Sequence, residues 1–138
     1  MTILEAIRAI CEQIPGYTFR FDERAMFNVN ADNQPFPCIF FEEYREGIYL
    51  TKYMFKKSTR AELYFSKLCL MENDATERET LRETIEVEAV RPFIKLYNES
   101  LLFEKVSSWK FYTPPPRFDA NEVSVMLQWD AEMIGECL

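Results

Sequence analysis

The stretch from Ser58 to Phe103 constrains the fold most, because an alternating strand runs there straight into a long helix. In Thr59–Cys69 one parity holds Ala61, Leu63, Phe65 and Cys69, and the other holds Arg60, Glu62, Tyr64 and Ser66. That is the alternation of a strand with one wet face. Turn and capping residues break the pattern from Met71 to Thr76. Thr76 followed by Glu79 reads as a capping box, so the spacing predicts a helix starting near Glu77. Leu81, Ile85, Ala89, Phe93 and Leu96 recur at helical spacing and predict its buried stripe. Pro92 lacks an amide hydrogen and collides with the carbonyl of Glu88, which predicts either a kink or a short break with Pro92 opening a second helix. Beyond it, Val90, Ile94, Tyr97 and Leu101 add a second apolar flank beside Phe93, Leu96 and Phe103. A helix half that is apolar over so wide an arc sits deep in the core or meets a partner.

The rest of the chain supplies strands for that helix to cover. Thr2 and Glu5 make another capping box and open a helix with Ile3, Ile7, Ile10 and Ile14 on one side, widened by Leu4 and Cys11. Pro15-Gly16 stops it. A helix this short does not hold its shape in water by propensity, so its apolar face must dock. Tyr17–Asp22 alternates as a strand, and Ala25–Asn30 is a candidate partner for it. Asn28–Pro37, with small polar residues and two prolines, reads as an exposed loop, mobile until assembly orders it. Cys38–Tyr44 and Ile48–Phe55 read as strands joined by a hairpin at Arg45-Glu46-Gly47, with Lys56-Lys57-Ser58 as a tight link into Thr59–Cys69. An antiparallel meander follows. Near the C-terminus, Trp109, Phe111 and Thr113 alternate with Ser108, Lys110 and Tyr112, and Glu122–Asp130 alternates most regularly of all. Pro114–Pro116 cannot donate to a ladder and belong to a loop or an edge. Residues 131–138 are too few for a convincing helix. The expected architecture is a single α+β domain over residues 1–138, with a two-layer, mostly antiparallel sheet covered by one long helix and preceded by an N-terminal helix.

Composition narrows the function by exclusion. A net charge of −7 opposes phosphate-backbone binding, and the longest basic cluster is only Lys56-Lys57 with Arg60 nearby, so no nucleic-acid partner is expected. No apolar run reaches the ~20 residues that span a bilayer, so no membrane partner is expected either. The start, Met1-Thr2-Ile3-Leu4-Glu5, has no basic region before its apolar residues, so no signal peptide is read and a cytoplasmic protein is expected. Cys11, Cys38, Cys69 and Cys137 are widely spaced and read as reduced core thiols. The chain has no histidine, which removes the commonest general base and every Ser-His or Cys-His pair. Gly16, Gly47 and Gly135 form no phosphate-cradling loop. Glu42 and Glu43 are adjacent on a strand and point to opposite faces. Glu77, Glu79, Glu83, Glu86 and Glu88 read as a solvated helix face. No catalytic role, cofactor or metal is therefore expected.

What the chain does carry is aromatic residues on both parities of short strands, among them Phe40, Phe41, Tyr44, Tyr49, Tyr53, Phe55, Tyr64 and Phe65. A sheet with one face on a helix should leave the other face polar. Two accounts fit: the N-terminal helix covers the second face, or part of that face is buried between subunits, where Tyr and Phe are enriched. Under the second account the candidate interface residues are Phe36, Phe40, Phe41, Tyr49, Tyr53, Tyr64 and Tyr97.

The order of helix, strand pair, loop, strand meander, long helix and two strands resembles the tail-terminator (minor tail, tail-completion) family of long-tailed bacteriophages. The resemblance is carried by the helix ending at Pro15-Gly16, by Phe36-Pro37-Cys38-Ile39-Phe40-Phe41-Glu42, and by Arg60-Ala61-Glu62-Leu63-Tyr64-Phe65 running into the acidic helix. The closing Val/Leu/Trp strand completes it. It implies a structural protein that closes rings, typically hexameric, at the end of the tail tube. Its implied partners are copies of itself, the tail tube protein and the head–tail connector proteins. Its implied place is the bacterial cytoplasm during assembly and then the virion tail. Pro114–Pro116 and the aromatic density depart from the family's pattern and leave open whether the role is terminator or adaptor. Small acidic secretion chaperones share a helix, three-strand, helix, two-strand order and form the alternative; they bind an unfolded partner as two-fold dimers and end in a further helix.

Overall fold

The sheet is built on one long strand of 15 residues, Met54–Leu68, in the computed structural model. The structure describes residues 1–22, 36–42, 44, 47–50, 52–69, 74–113 and 122–137. In chain order the elements are α1 (Ile3–Cys11), β1 (Thr18–Asp22), β2 (Cys38–Glu42), β3 (Gly47–Leu50), β4 (Met54–Leu68), α2 (Ala75–Ile85), α3 (Arg91–Glu99), β5 (Lys110–Tyr112), β6 (Glu122–Glu132) and β7 (Glu136–Cys137). A π-helical turn, Glu86–Val90, joins α2 to α3. The fold is α+β.

The described strands form one seven-stranded sheet whose main path runs β1-β2-β4-β6-β5. β6 pairs antiparallel with β4 from Ser58↔Glu132 to Leu68↔Glu122. β2 pairs antiparallel on the other side, from Cys38↔Ser66 to Phe41↔Leu63. The start of β4 reaches past this body and is flanked instead by β3, with Leu50 opposite Phe55, and by β7, with Met54 opposite Cys137. β1 runs parallel to β2.

Register puts the expected parity of β4 on one face, where Ala61, Leu63 and Phe65 line up with Ile39 and Phe41 of β2 and with Val125, Leu127 and Trp129 of β6. Both helical segments pack there. Ile3, Ile7 and Ile10 of α1 share one buried cluster with Ile85, Ala89, Phe93 and Tyr97 and with those strand residues. Each such side chain taken fully out of water contributes ~1.5–3 kcal/mol before ordering costs. α1 is capped as read, with Thr2 Oγ1 accepting from the Glu5 amide at 3.0 Å. Gly16 follows with a φ of 81°, a conformation that suits glycine.

Several expectations are corrected. α1 lies on the same face as the long helix, so it does not cover the second face of the sheet. The long helix starts earlier than Glu77: its cap is Asp74, whose Oδ1 accepts from the Glu77 amide at 2.8 Å. Leu81 and Leu96 are only partly buried, while Val90 and Tyr97 are buried. Pro92 stands in the first turn of α3, and the α-helical ladder is interrupted just before it without the chain leaving the helical path. The π-helical turn just before it shifts the ladder, with the Arg91 amide donating to the carbonyl of Glu86, so the turn preceding the ring is already widened.

Ile48–Phe55 is not one strand. The chain reverses between Leu50 and Met54, and Lys56-Lys57-Ser58 is strand interior rather than a link. β2 and β3 run in the same direction along one edge of β4, with one more residue between Phe41 and Gly47 than between Ser58 and Leu63 on the partner, so no hairpin joins them. The partner of β1 is β2, in parallel; the proposed strand Ala25–Asn30, most of the loop Asn28–Pro37, and Pro114–Pro116 lie outside the described residues.

The wide apolar arc of α3 is core. Phe93 is fully buried, with ring centroids 5.4 Å from Trp129, 5.9 Å from Tyr97, 6.0 Å from Phe65 and 6.4 Å from Trp109. Tyr97 stacks on Phe103 at 4.3 Å. Its hydroxyl is buried and makes no well-formed hydrogen bond among the described residues; burial pushes its ionisation well above the ordinary range, opposed by the nearby Trp129 indole N–H. A buried hydroxyl without a partner costs desolvation that an aromatic C–H does not. Tyr97→Phe is expected to leave stability unchanged or raise it by up to ~1 kcal/mol, read from the denaturant midpoint at constant slope. A loss above ~1 kcal/mol would show that the hydroxyl is bonded.

Candidate interaction surface

The two sheet faces divide the seven predicted interface residues. Phe41 and Tyr97 belong to the helix-side core. Phe40 and Tyr64 sit opposite one another on the far face, in a second buried cluster with Cys38 and Met126, against which Phe36 packs. Phe40, Phe41, Tyr64 and Tyr97 are all buried within the subunit and present no area to a partner in this conformation. Tyr53 is exposed at 68%. Tyr49 lies on β3 opposite Lys56, and its side chain is outside the described residues. Aromatic density misleads here because cores and interfaces are enriched in the same residue types.

Beyond that second cluster the far face is polar, as the parity of β4 predicts. Arg60 Nη2 donates to Gln128 Oε1 at 2.9 Å, Gln128 Nε2 to Glu62 Oε1 at 2.7 Å, and the Tyr64 hydroxyl to Glu62 Oε2 at 3.3 Å. Ser66 and Ser124 share a buried hydrogen bond, Oγ to Oγ, at 2.7 Å. Cys38 is buried beside these groups. Burial raises its pKa to about 12, the Glu122 carboxylate adding to the rise and Arg20 opposing it. Such a thiol stays protonated and is not a nucleophile at neutral pH. Cys11 is likewise buried and pushed up by burial. Among the described residues no cluster of three metal-ligating side chains occurs, and no helix is long and apolar enough to cross a membrane.

Most exposed apolar side chains of the described residues gather in two places, with Leu68 and Val87 outside both. The larger group is at the end where β3 and the start of β4 project as an arm. Ile48, Leu50, Tyr53 and Met54 are exposed on it, at 54%, 68%, 68% and 38%. Met1, Leu101 and Ile134 are exposed at the same end. Lys57 Nζ donates to the Met1 carbonyl at 3.1 Å, and the Ile134 amide donates to the Leu102 carbonyl at 3.0 Å, which ties the N-terminus, the end of the long helix and the residues before β7 to the base of the arm. The Lys56–Glu104 ion pair at 3.1 Å fastens the same base. Leu101 holds a φ of 58°, unusual for a side chain of its size, with that side chain in solvent.

A second group borders a cleft of about 550 Å³ between the first half of the long helix and the β5 edge. Phe111 and Tyr112 of β5 are about half exposed there, at 47% and 41%, and Val125 lies beneath. The helix side is charged. Arg82 pairs with Glu79, and Arg91 with Glu86 at 3.0 Å, whereas Glu83 is exposed and has no ion pair among the described residues. β5 pairs only with β6 among the described strands and borders this cleft on its sheet side. The arm was missed in the sequence because the reversal at Lys52-Tyr53 carries no Gly, Pro, Asn or Asp signal. Once Ile48–Phe55 is divided, Ile48 and Leu50 share one face of a short strand, which is the mark of an apolar rib.

One ionic cluster ties the layers together near the π-helical turn. Lys67 Nζ lies 2.8 Å from Glu88 Oε2, and the Tyr17 hydroxyl donates to the same oxygen at 3.1 Å. The hydrogen bond from Lys67 holds the Glu88 carboxyl below its usual range against the opposing effect of burial, with Tyr17 helping. A depressed carboxylate pKa stabilises the fold above the unfolded-state value of ~4.3, and that contribution is lost as pH falls through the folded value. Glu88 is 45% exposed, so the contribution is expected to stay under ~1 kcal/mol. Between pH 7 and pH 3, urea midpoints should fall further for the wild type than for Glu88→Gln. Equal losses would assign the acid sensitivity to other carboxylates.

Comparison with known protein families finds no family model that matches the chain, and comparison with curated proteins finds no relative.

Proposed function

We propose that this chain is a structural subunit that closes a ring with copies of itself at the end of a phage or prophage tail tube and joins the tube to the head. That is the role the tail-terminator resemblance implies. The partners are further copies, the tail tube protein and the head–tail connector, and the chain works in the bacterial cytoplasm during assembly and then in the virion tail. It acts by association and docking, without chemistry.

The observation that supports the reading is the placement of exposed apolar residues in two separate groups, the arm end and the β5 cleft. A two-fold dimer uses one patch twice, whereas two different patches at opposite ends suit a head-to-tail contact that closes into a ring or runs on as a filament. The test is light scattering across salt and concentration. The net charge of −7 opposes the approach of like subunits within a Debye length of ~10 Å at 0.1 M salt. The expected result is a monomer in dilute, low-salt solution that assembles as salt and concentration rise. A two-fold dimer unchanged by either variable would favour the chaperone reading.

A further inference from the structure

We infer that the arm of one copy seats in the β5 cleft of the next, with β3 adding to the open edge of β5. The inference rests on the ring-forming reading and specifies the contact.

The arm and the cleft lie at opposite ends of the sheet. Phe55 pairs with Leu50 on the arm, whereas β5 lies beside Met126–Gln128 of β6 and so level with Glu62–Tyr64 of β4, seven to nine residues or roughly 23–30 Å away. The arm spans only from Ser58 to its turn at Lys52, roughly 20 Å, and points away from the cleft, so a subunit cannot fill its own. A second copy can. β3 pairs only with β4, and β5 only with β6, among the described strands, so each offers an outer edge to the other. Strand addition of this kind takes affinity from main-chain hydrogen bonds and specificity from alternate side chains entering pockets. Ile48 and Leu50, two apart on β3, supply the alternate side chains, and the cleft beside Phe111 has the volume to take them.

Charge orients the same pairing. The turn of the arm carries Lys52, exposed and without an ion pair among the described residues, its ammonium 5.3 Å from the Tyr53 ring centroid. The helix wall of the cleft carries Glu83, the acid whose neighbours Glu79 and Glu86 are already matched by arginines. A short strand contact is weak alone. Ring closure gives every subunit two such contacts, which turns the last of them into an intramolecular event.

A mixing experiment tests this. An arm variant, Ile48→Glu with Leu50→Glu, keeps its cleft, and a cleft variant, Phe111→Glu, keeps its arm. Under conditions where the wild type assembles, each variant alone is expected to remain monomeric with an unchanged melting profile. At concentrations well above those at which the wild type assembles, an equimolar mixture is expected to give a one-to-one dimer and nothing larger, because only one intact arm–cleft pair is left and ring closure no longer reinforces it. In case Phe111→Glu disturbs β5, Lys52→Glu and Glu83→Lys offer a second arm on exposed positions: each alone should weaken assembly several-fold, and both in one chain should restore it. If the wild type assembles and the variants assemble equally well, or if the mixture stays monomeric and charge reversal gives no rescue, the arm–cleft contact is overturned and ring formation stands on other surfaces. If the wild type does not assemble under any condition, the contact and the ring-forming reading fall together.

Discussion

Phe93→Ala is expected to lower the unfolding free energy by ~3–5 kcal/mol, measured by urea denaturation at constant slope. Phe93 has no exposed surface, and four aromatic neighbours, Phe65, Tyr97, Trp109 and Trp129, surround it from β4, α3, the segment before β5, and β6. Large rings held by elements far apart in sequence cannot close over a missing neighbour without moving the helix off the sheet. The cavity therefore persists, and its cost adds to the lost transfer free energy. A loss under ~1 kcal/mol would mean that the site collapses freely or that the ring lies outside the core.

The second large effect is expected at Ile7→Asp. Ile7 is fully buried in α1, and an ionised carboxylate in that position has no partner. Burying it would cost several kcal/mol, more than a short helix can tolerate. A helix of nine residues is held by docking and not by propensity. The expected outcome is local: α1 leaves the sheet, its amides lose hydrogen-exchange protection, and β4 and β6 keep theirs. Equal loss of protection in α1 and in the central strands would show that α1 belongs to the global folding unit. Retained protection in α1 would show that the helix face is not buried as described.

These two sites mark where sequence reading succeeds. The parity of Ala61, Leu63 and Phe65, the alternation of β6 and the spacing of Ile3, Ile7 and Ile10 all follow from local periodicity, which is dictated by backbone geometry. The burial of Phe93 followed from the same spacing. The candidate surface was far less legible. The aromatic pattern makes Phe41 and Tyr97 interface candidates, yet both are core, while Ile48, Leu50 and Met54 are exposed. Periodicity assigns a side chain to a face, but whether that face is covered depends on elements distant in the chain.

The same limit explains the topology. The expected hairpin at Arg45-Glu46-Gly47 assumed that neighbouring strands pair, yet β2 and β3 follow one another along the same edge of β4. Because β4 runs to 15 residues, it is long enough to take both on one side. By itself the sequence determined an α+β chain with two amphipathic helices, an alternating central strand and a solvated acidic helix flank, because each of these is a local pattern of apolar and polar groups. Only the tertiary structure decided that both helices share one face, that β1 lies parallel to β2, and that the start of β4 projects as an apolar arm. Those outcomes depend on which long-range pairings bury the most apolar surface together, and no local pattern encodes that comparison.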